Sequence, residues 1–274
     1  MPDNRPIGIF DSGVGGLTVL LTLQEQLPSE STVYVGDLAR CPYGPRPQAQ
    51  VREFAVEVAD CLAAEDIKLL VVACNTATAA AFPELRDRFP FPVVGVIDPG
   101  AAEAARLSST GRIGVVATDG TVASGAYSRA ITRCRPDAIV TERAASWLVP
   151  VIESGQTDED EIMQRLAPIM GDMHADDVDT VILGCTHFPL LRHLFESASG
   201  GDIALLDSAT TTGREVRRLL EEFNLQSEVE PHHRFLVTGP AESFARRAAT
   251  MFHTYPPIET FDLAQGLLNA RRAG

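Results

Sequence analysis

The sequence predicts an α/β protein: two similar α/β units with mainly parallel central sheets, pseudo-symmetric, with a cleft between them. Three features carry this. The strand candidates, such as Leu69–Val72 and Val181–Leu183, are continuous apolar runs instead of alternating ones, as in parallel strands covered on both faces. Helix-spaced segments separate them, as parallel crossovers require. And the pattern restarts. Arg112–Ala117 (RIGVVA) mirrors Pro6–Phe10 (PIGIF), and VILGCTHFP from Val181 mirrors LLVVACNTATA from Leu69. The offsets are 106 residues (6 to 112) and 111 residues (74 to 185), which predicts a duplicated unit.

Each element follows in order. Ile7–Phe10 is a short strand, then comes the turn Asp11-Ser12-Gly13-Val14-Gly15-Gly16. Its glycines permit a tight turn and expose backbone N–H groups, an anion-friendly geometry. Leu17–Leu27 has helical spacing. Position 18 is Thr, so the turn is not GxGxxG and a dinucleotide reading is weak. Thr32–Val35 is a strand, and residues 38–47 form a stiff, non-helical loop with three prolines and Tyr43. Gln48–Ala64 is an amphipathic helix with Cys61 in the core. After the Cys74 strand, Thr76–Phe89 is helical, and Val93–Ile97 is a strand leading to Asp98-Pro99-Gly100, a domain-crossing point. Ala101–Leu107 is a helix.

In the second copy the polar turn is Thr118-Asp119-Gly120-Thr121. Val122–Cys134 is a helix with Cys134 structural, and Ala138–Thr141 is a strand. Trp147–Gly155 is an apolar segment with one carboxylate, Glu153. Asp158–Glu161 starts a helix through Met173. Leu190–Ser199 is a helix, Ile203–Leu206 a strand and Thr211–Phe223 a long helix. Arg234–Thr238 is a late strand, Pro240–Phe252 a helix, Ile258–Leu263 an edge strand, and the tail from Gly266 frays.

Composition narrows the function classes. The 274 residues suffice for two ordinary domains, and 45% hydrophobic content supports packed cores. A net charge of −14 argues against a broad nucleic-acid or anionic-membrane surface. No run approaches the ~18 apolar residues of a membrane span. The polar start MPDNRP offers no signal peptide, so a cytoplasmic protein is expected. Five cysteines, at 41, 61, 74, 134 and 185, form no CxxC pair and fit free thiols better than disulfides. His232 and His233 lack ligand spacing, and no metal is expected. The single lysine, Lys68, lies at the far end of the Cys74 strand, ~20 Å away at ~3.3 Å per residue. Pyridoxal phosphate needs a lysine, so its chemistry beside the cysteines is close to excluded.

Two thiols at the ends of corresponding strands have the layout needed to remove a proton from one face of a carbon and return one to the other. The base is a thiolate and its partner a thiol. A free thiol has pKa ~8.5, which helix N-termini lower. Asp11 and His187 are placed to take or give the thiol proton. Ser12, Asn75, Thr76, Thr186 and turn amides are candidate holders of carboxylates. No Arg or Lys sits in these turns, so an anionic substrate would be held by neutral donors and helix dipoles. A lone cysteine at a strand end more often packs than reacts; the matched pair is what raises the chemical reading.

Together the stretches IGIFDSGVGGLTV (7–19), YVGD–R-PYG (34–44), ACNTATA (73–79), VVGVIDPG (93–100), IGVVATDGTVASGAY (113–127) and LGCTHFPLL (183–191) resemble the glutamate racemases. The wider aspartate/glutamate racemase superfamily shares the two cysteines but not the full series. The resemblance implies cofactor-independent racemisation of L- and D-glutamate, supplying D-glutamate for peptidoglycan. It implies Cys74 and Cys185 as the two bases, with Asp11, His187 and Glu153 as supporting acids. It implies Asp11, Ser12, Tyr43, Gly44, Asn75, Thr76, Thr186 and His187 as substrate contacts, with Thr118 and Thr121 in the same shell. It also implies a discontinuous first domain, residues 1–97 plus 208–264, a second domain of 98–207, and a homodimer. Leu38 stands where the family has Thr, and Cys41 where another apolar residue is common. The alternatives are an aspartate or other amino-acid racemase, and a non-catalytic two-lobed ligand-binding protein.

Overall fold

The computed structural model describes residues 2–155, 158–253 and 256–267. The chain alternates strand and helix: β1 (Ile7–Asp11), α1 (Leu17–Gln26), β2 (Thr32–Gly36), α2 (Gln48–Ala63), β3 (Leu69–Val72), α3 (Asn75–Arg88), β4 (Val93–Gly95) and α4 (Ile97–Leu107). It continues with β5 (Arg112–Ala117), α5 (Asp119–Ser124), α6 (Ala126–Cys134), β6 (Ile139–Ala144), α7 (Leu148–Ser154), α8 (Glu159–Ala175), β7 (Thr180–Gly184), α9 (Arg192–Ala198), β8 (Ala204–Asp207) and α10 (Ser208–Glu222). Last come β9 (His233–Val237), α11 (Ala241–Phe252) and β10 (Ile258–Thr260).

The strands form two parallel sheets, in the orders β10-β9-β2-β1-β3-β4 and β6-β5-β7-β8. The inner order of the first, β2-β1-β3-β4, repeats in the second, as the restart in the sequence requires. The apolar runs explain why both sheets are buried. Leu69 and Val71 project into one core with Ile7, Ile9 and Leu20, while Leu70 and Val72 project into another with Phe10, Val33 and Val35. The second sheet divides the same way, Val181 and Leu183 on one face and Ile182 on the other. Full burial of one such side chain contributes about 1.5–3 kcal/mol. Register brings the carboxyl ends of β1 and β3 side by side, Phe10 opposite Val72, and those of β5 and β7, Ala117 opposite Gly184. Open parallel sheets bind ligands at that edge.

Several boundaries differ from the sequence reading. Asp98-Pro99-Gly100 lies in the first turn of α4, which starts at Ile97 and links β4 of one sheet to β5 of the other, so the helix begins four residues before the expected Ala101. Proline is tolerated there because first-turn N–H groups have no intrahelical acceptor. The helix expected over Val122–Cys134 is two helices, divided at Gly125, whose φ of +61° ends α5. Cys134 is exposed, not structural. The apolar segment around Glu153 is helix α7. Helix α10 starts at Ser208, three residues before the expected Thr211, because the Asp207 side chain accepts from the N–H groups of Ala209 and Thr210 at 3.0 and 3.3 Å. Residues Phe188–Leu191 form a 3-10 turn ahead of α9, and Leu38–Arg40 form another. The edge strand is short, Ile258–Thr260, and tail residues 268–274 lie outside the described residues.

Lys68 is fully buried at the amino end of β3. Its Nζ pairs with Glu30 Oε2 at 2.5 Å and donates to the carbonyls of Asp3 and Leu225 at 2.6 and 2.7 Å. The one lysine is thereby committed to tying the N-terminus to the loop before β9. No described helix is long and apolar enough to cross a membrane.

Candidate active site

Cys74 caps α3. Its sulfur accepts from the Ala77 N–H at 3.5 Å and its thiol donates to Ser12 Oγ at 3.8 Å. Cys185 follows β7 directly, and no α-helix starts there. Its sulfur lies 3.7 Å from His187 Nδ1, and His187 Nε2 is 2.7 Å from Glu153 Oε1 on α7. Both sulfurs line one small cavity, with Ser12, Pro42, Tyr43, Gly44, Asn75, Thr76, Thr118, Val149, Thr186 and His187. Among the described residues, no Arg or Lys lines it. The cavity holds about 10 Å³, room for about one water. Any amino acid must therefore part its walls to enter.

The walls hold each other across the cleft. Thr76 Oγ1 is 2.9 Å from Thr118 Oγ1, which is 2.9 Å from Thr121 Oγ1. Thr186 Oγ1 donates to Asp11 Oδ2 at 3.1 Å, and the Gly120 N–H donates to the Gly44 carbonyl at 3.0 Å. The Val14 N–H reaches Glu153 Oε1 at 3.3 Å. Every site residue expected from the sequence is thus in or against one cavity, Asp11, Thr121 and Glu153 behind its lining.

The electrostatics of the two thiols differ. Burial, with the Asp11 carboxylate next, pushes Cys74 up to about 12, outweighing the Ala77 N–H and the Ser12 hydroxyl. The expectation that a helix N-terminus lowers this thiol fails because burial is the larger effect. Burial also raises Asp11, against the pull of His187 and the Gly13 N–H. Burial alone would lower His187, but Cys185 and Glu153 outweigh it and hold the imidazole well above its ordinary value. Burial raises Glu153, yet His187, the Val14 N–H and Arg247 together bring it below the usual carboxylate range.

The glycine turn after β1 presents N–H groups to carboxylates, Gly13 to Asp11 Oδ1 at 2.9 Å and Val14 to Glu153, and has a second use. None of Gly13, Gly15 and Gly16 has positive φ. They are needed for close approach: a Cβ on Gly15 would sit 2.4 Å from Thr186 Oγ1 and 2.5 Å from His187 Nδ1, and one on Gly13 2.5 Å from Glu153 Oε1. Gly15→Ala is therefore expected to displace His187 and lower kcat/KM about 100-fold, read by steady-state kinetics, with an unfolding midpoint close to the parent's.

Two groups of residues behind the cavity were missed. Asp37, fully buried, accepts from Arg40 Nε at 2.6 Å, from Thr238 Oγ1 at 2.7 Å and from the Tyr43 hydroxyl, and so pins the loop that carries Tyr43 and Gly44. Tyr127 and Ser208 hold Asn75. Of the two departures, Leu38 packs against the first core, and Cys41 Sγ lies 3.9 Å from Glu153 Oε1 with its thiol raised by burial.

Two parallel α/β sheets with a thiol from each in one cavity define the class. The chain belongs to the Asp/Glu/Hydantoin racemase family, whose model matches residues 16–216. It is an isomerase of the racemase type, and relatives at about 40% identity over nearly its full length are glutamate racemases. It is 41% identical over 265 residues to the glutamate racemase of Exiguobacterium sibiricum, covering 96% of this chain and 97% of that one. A crystal structure of a glutamate racemase isoform from Bacillus anthracis superposes with a TM-score of 0.92 at 37% identity, over 95% of this chain and 98% of the other. The Francisella tularensis glutamate racemase in complex with D-glutamate gives a TM-score of 0.89 at 31% identity, over 96% and 99%.

Proposed function

We propose that the protein racemises glutamate by two-thiol proton transfer, with Cys74 and Cys185 as the two bases. The observation that carries this is the pair of sulfurs lining one cavity from matched strand ends. Cys74, pushed up to about 12, enters the reaction as a thiol. Cys185, beside a protonated His187, enters as the base. Its thiolate takes the α-proton and becomes S–H, leaving the electron pair on the α-carbon, delocalised into the carboxylate. Cys74 then gives its proton to the opposite face and becomes the thiolate. Proton exchange through Asp11 on one side and His187 on the other resets the pair. Reaction of the other enantiomer runs these steps in reverse. Hydroxyls and backbone N–H groups around the cavity stabilise the charge building on the carboxylate without an arginine to quench a thiolate.

On this reading the enzyme acts as a cytoplasmic homodimer, needs no cofactor, and its D-glutamate serves peptidoglycan synthesis. The division into residues 1–97 with 208–264 against 98–207 then puts one thiol on each domain. In heavy water, with no cofactor added, both enantiomers should acquire deuterium at the α-carbon as they interconvert. Racemisation that requires an added cofactor, or that leaves the α-position unlabelled, refutes the proposal.

The charge on Glu153, together with Cys185, sets the alkaline limit. Activity needs the His187 imidazolium, so kcat/KM should fall as pH rises through its elevated pKa. Glu153→Gln removes one of the groups that raise it. The proton is then lost at lower pH, and the alkaline limb of the pH–rate profile should move toward neutrality while the acid side changes less.

A further inference from the structure

Asn75 is the first residue of α3, next to Cys74, and lines the cavity with only 2% exposure. Its Nδ2 donates to Tyr127 OH at 2.8 Å and to Ser208 Oγ at 3.2 Å, and the two hydroxyls are 3.2 Å apart. Its Oδ1 is buried and has no partner among the described residues. Interiors keep few such orphans, and one on a residue that lines a cavity is an acceptor awaiting a donor.

The two hydroxyls stand on rigid supports. The Tyr127 ring is fully buried among Ile97, Ala101, Ala104 and Ile131. Ser208 starts α10, and its carbonyl accepts from the hydroxyls of Thr211 and Thr212 at 3.2 and 2.5 Å. Neither residue lines the cavity, and the Asn75 amide stands between them and it. Their effect passes through the orientation of the Asn75 amide.

We propose that Tyr127, with Ser208, is a positioning residue that turns the Asn75 amide so that Oδ1 meets the substrate's α-ammonium. The inference rests on glutamate as substrate. An amino dicarboxylate carries two carboxylates, which only accept, and one ammonium, which only donates. Of the substrate's groups, only the ammonium can satisfy the unpaired Asn75 acceptor. The contact is equally strong in the ground state and the transition state, because the ammonium keeps its charge during proton transfer. Its loss therefore appears in KM more than in kcat.

Tyr127→Phe keeps the ring and removes the hydroxyl. The measurements are KM and kcat for both glutamate enantiomers, and the inhibition constant of glutarate, which lacks the amino group. KM should rise about tenfold for both enantiomers, kcat should fall less than about threefold, and glutarate should bind within about twofold of its affinity for the parent. Equal weakening of glutarate and glutamate overturns the proposal, since it means that the amide presents Nδ2 or that the hydroxyl only supports the fold. Unchanged constants for both also overturn it. Should the phenylalanine variant not fold, Ser208→Ala removes the second hydroxyl and should shift the same constants in the same directions. The parent enzyme is assayed alongside: no turnover of glutamate by the parent refutes the substrate, whereas a wrong pattern in the variants refutes the role of Tyr127.

Discussion

Cys74→Ser and Cys185→Ser should each lower racemisation about 1,000-fold or more while leaving hydrogen exchange at the α-carbon of one enantiomer detectable. A serine hydroxyl is a far weaker acid than a thiol, so at that position it neither becomes a base nor gives up a proton readily, and acid–base groups of this kind account for about 100- to 10,000-fold each. The remaining thiol still faces one side of the α-carbon. It can withdraw a proton there and return a deuteron to the same side, with retention. The two variants should therefore label opposite enantiomers. The check is proton NMR of L- and D-glutamate in heavy water, with chiral chromatography of the product. Either variant racemising at the parent rate sinks the two-base assignment. The folds should survive, because each thiol makes only weak sulfur hydrogen bonds, at 3.5–3.8 Å, that a hydroxyl can replace.

The second large effect concerns stability. Lys68→Met should cost about 3–5 kcal/mol, because it leaves Glu30 as a buried charge without its ion-pair partner. It also strips the Asp3 and Leu225 carbonyls of a donor. For a chain of this size that is roughly ten degrees in the unfolding midpoint. The double variant Lys68→Met/Glu30→Gln removes both charges and should recover part of the loss, as a neutral amide retains the Ser227 N–H contact made by Glu30 Oε1 at 2.9 Å. Thermal unfolding followed by circular dichroism checks both. Activity of the folded fraction should be unchanged, since Lys68 lies at the opposite end of β3 from Cys74.

The β-strands were legible because burial on both faces leaves an unbroken apolar run, as in Leu69–Val72. Helix ends were less so. Asp98-Pro99-Gly100 reads as a junction ahead of a helix from Ala101, yet the same three residues lie in the first turn of α4, and only packing decides between the two. The Gly125 break has no periodicity signal, because one αL residue interrupts an otherwise helical pattern. Cys74, Cys185 and their sequence neighbours announced themselves by position after the strands. Tyr127 did not: a buried aromatic on a helix reads as core, and its bond to Asn75 spans 52 residues. Asp37 and Thr238 meet across 201 residues, with nothing local to link them. The glycines of the first turn were legible as donors of N–H groups, but their role in close approach was not, since what crowds them comes from the other half of the chain.

The hydroxyls and carbonyls that bridge the cleft have a thermodynamic consequence. An incoming amino acid finds these groups already partnered, so each bond it gains replaces one the protein gives up, and the net gain per contact is small. Such a clasp holds its guest loosely. The mirror-image forms of glutamate have equal free energy in water, so a catalyst of their interconversion gains nothing from gripping either; easy release of both keeps the flux reversible.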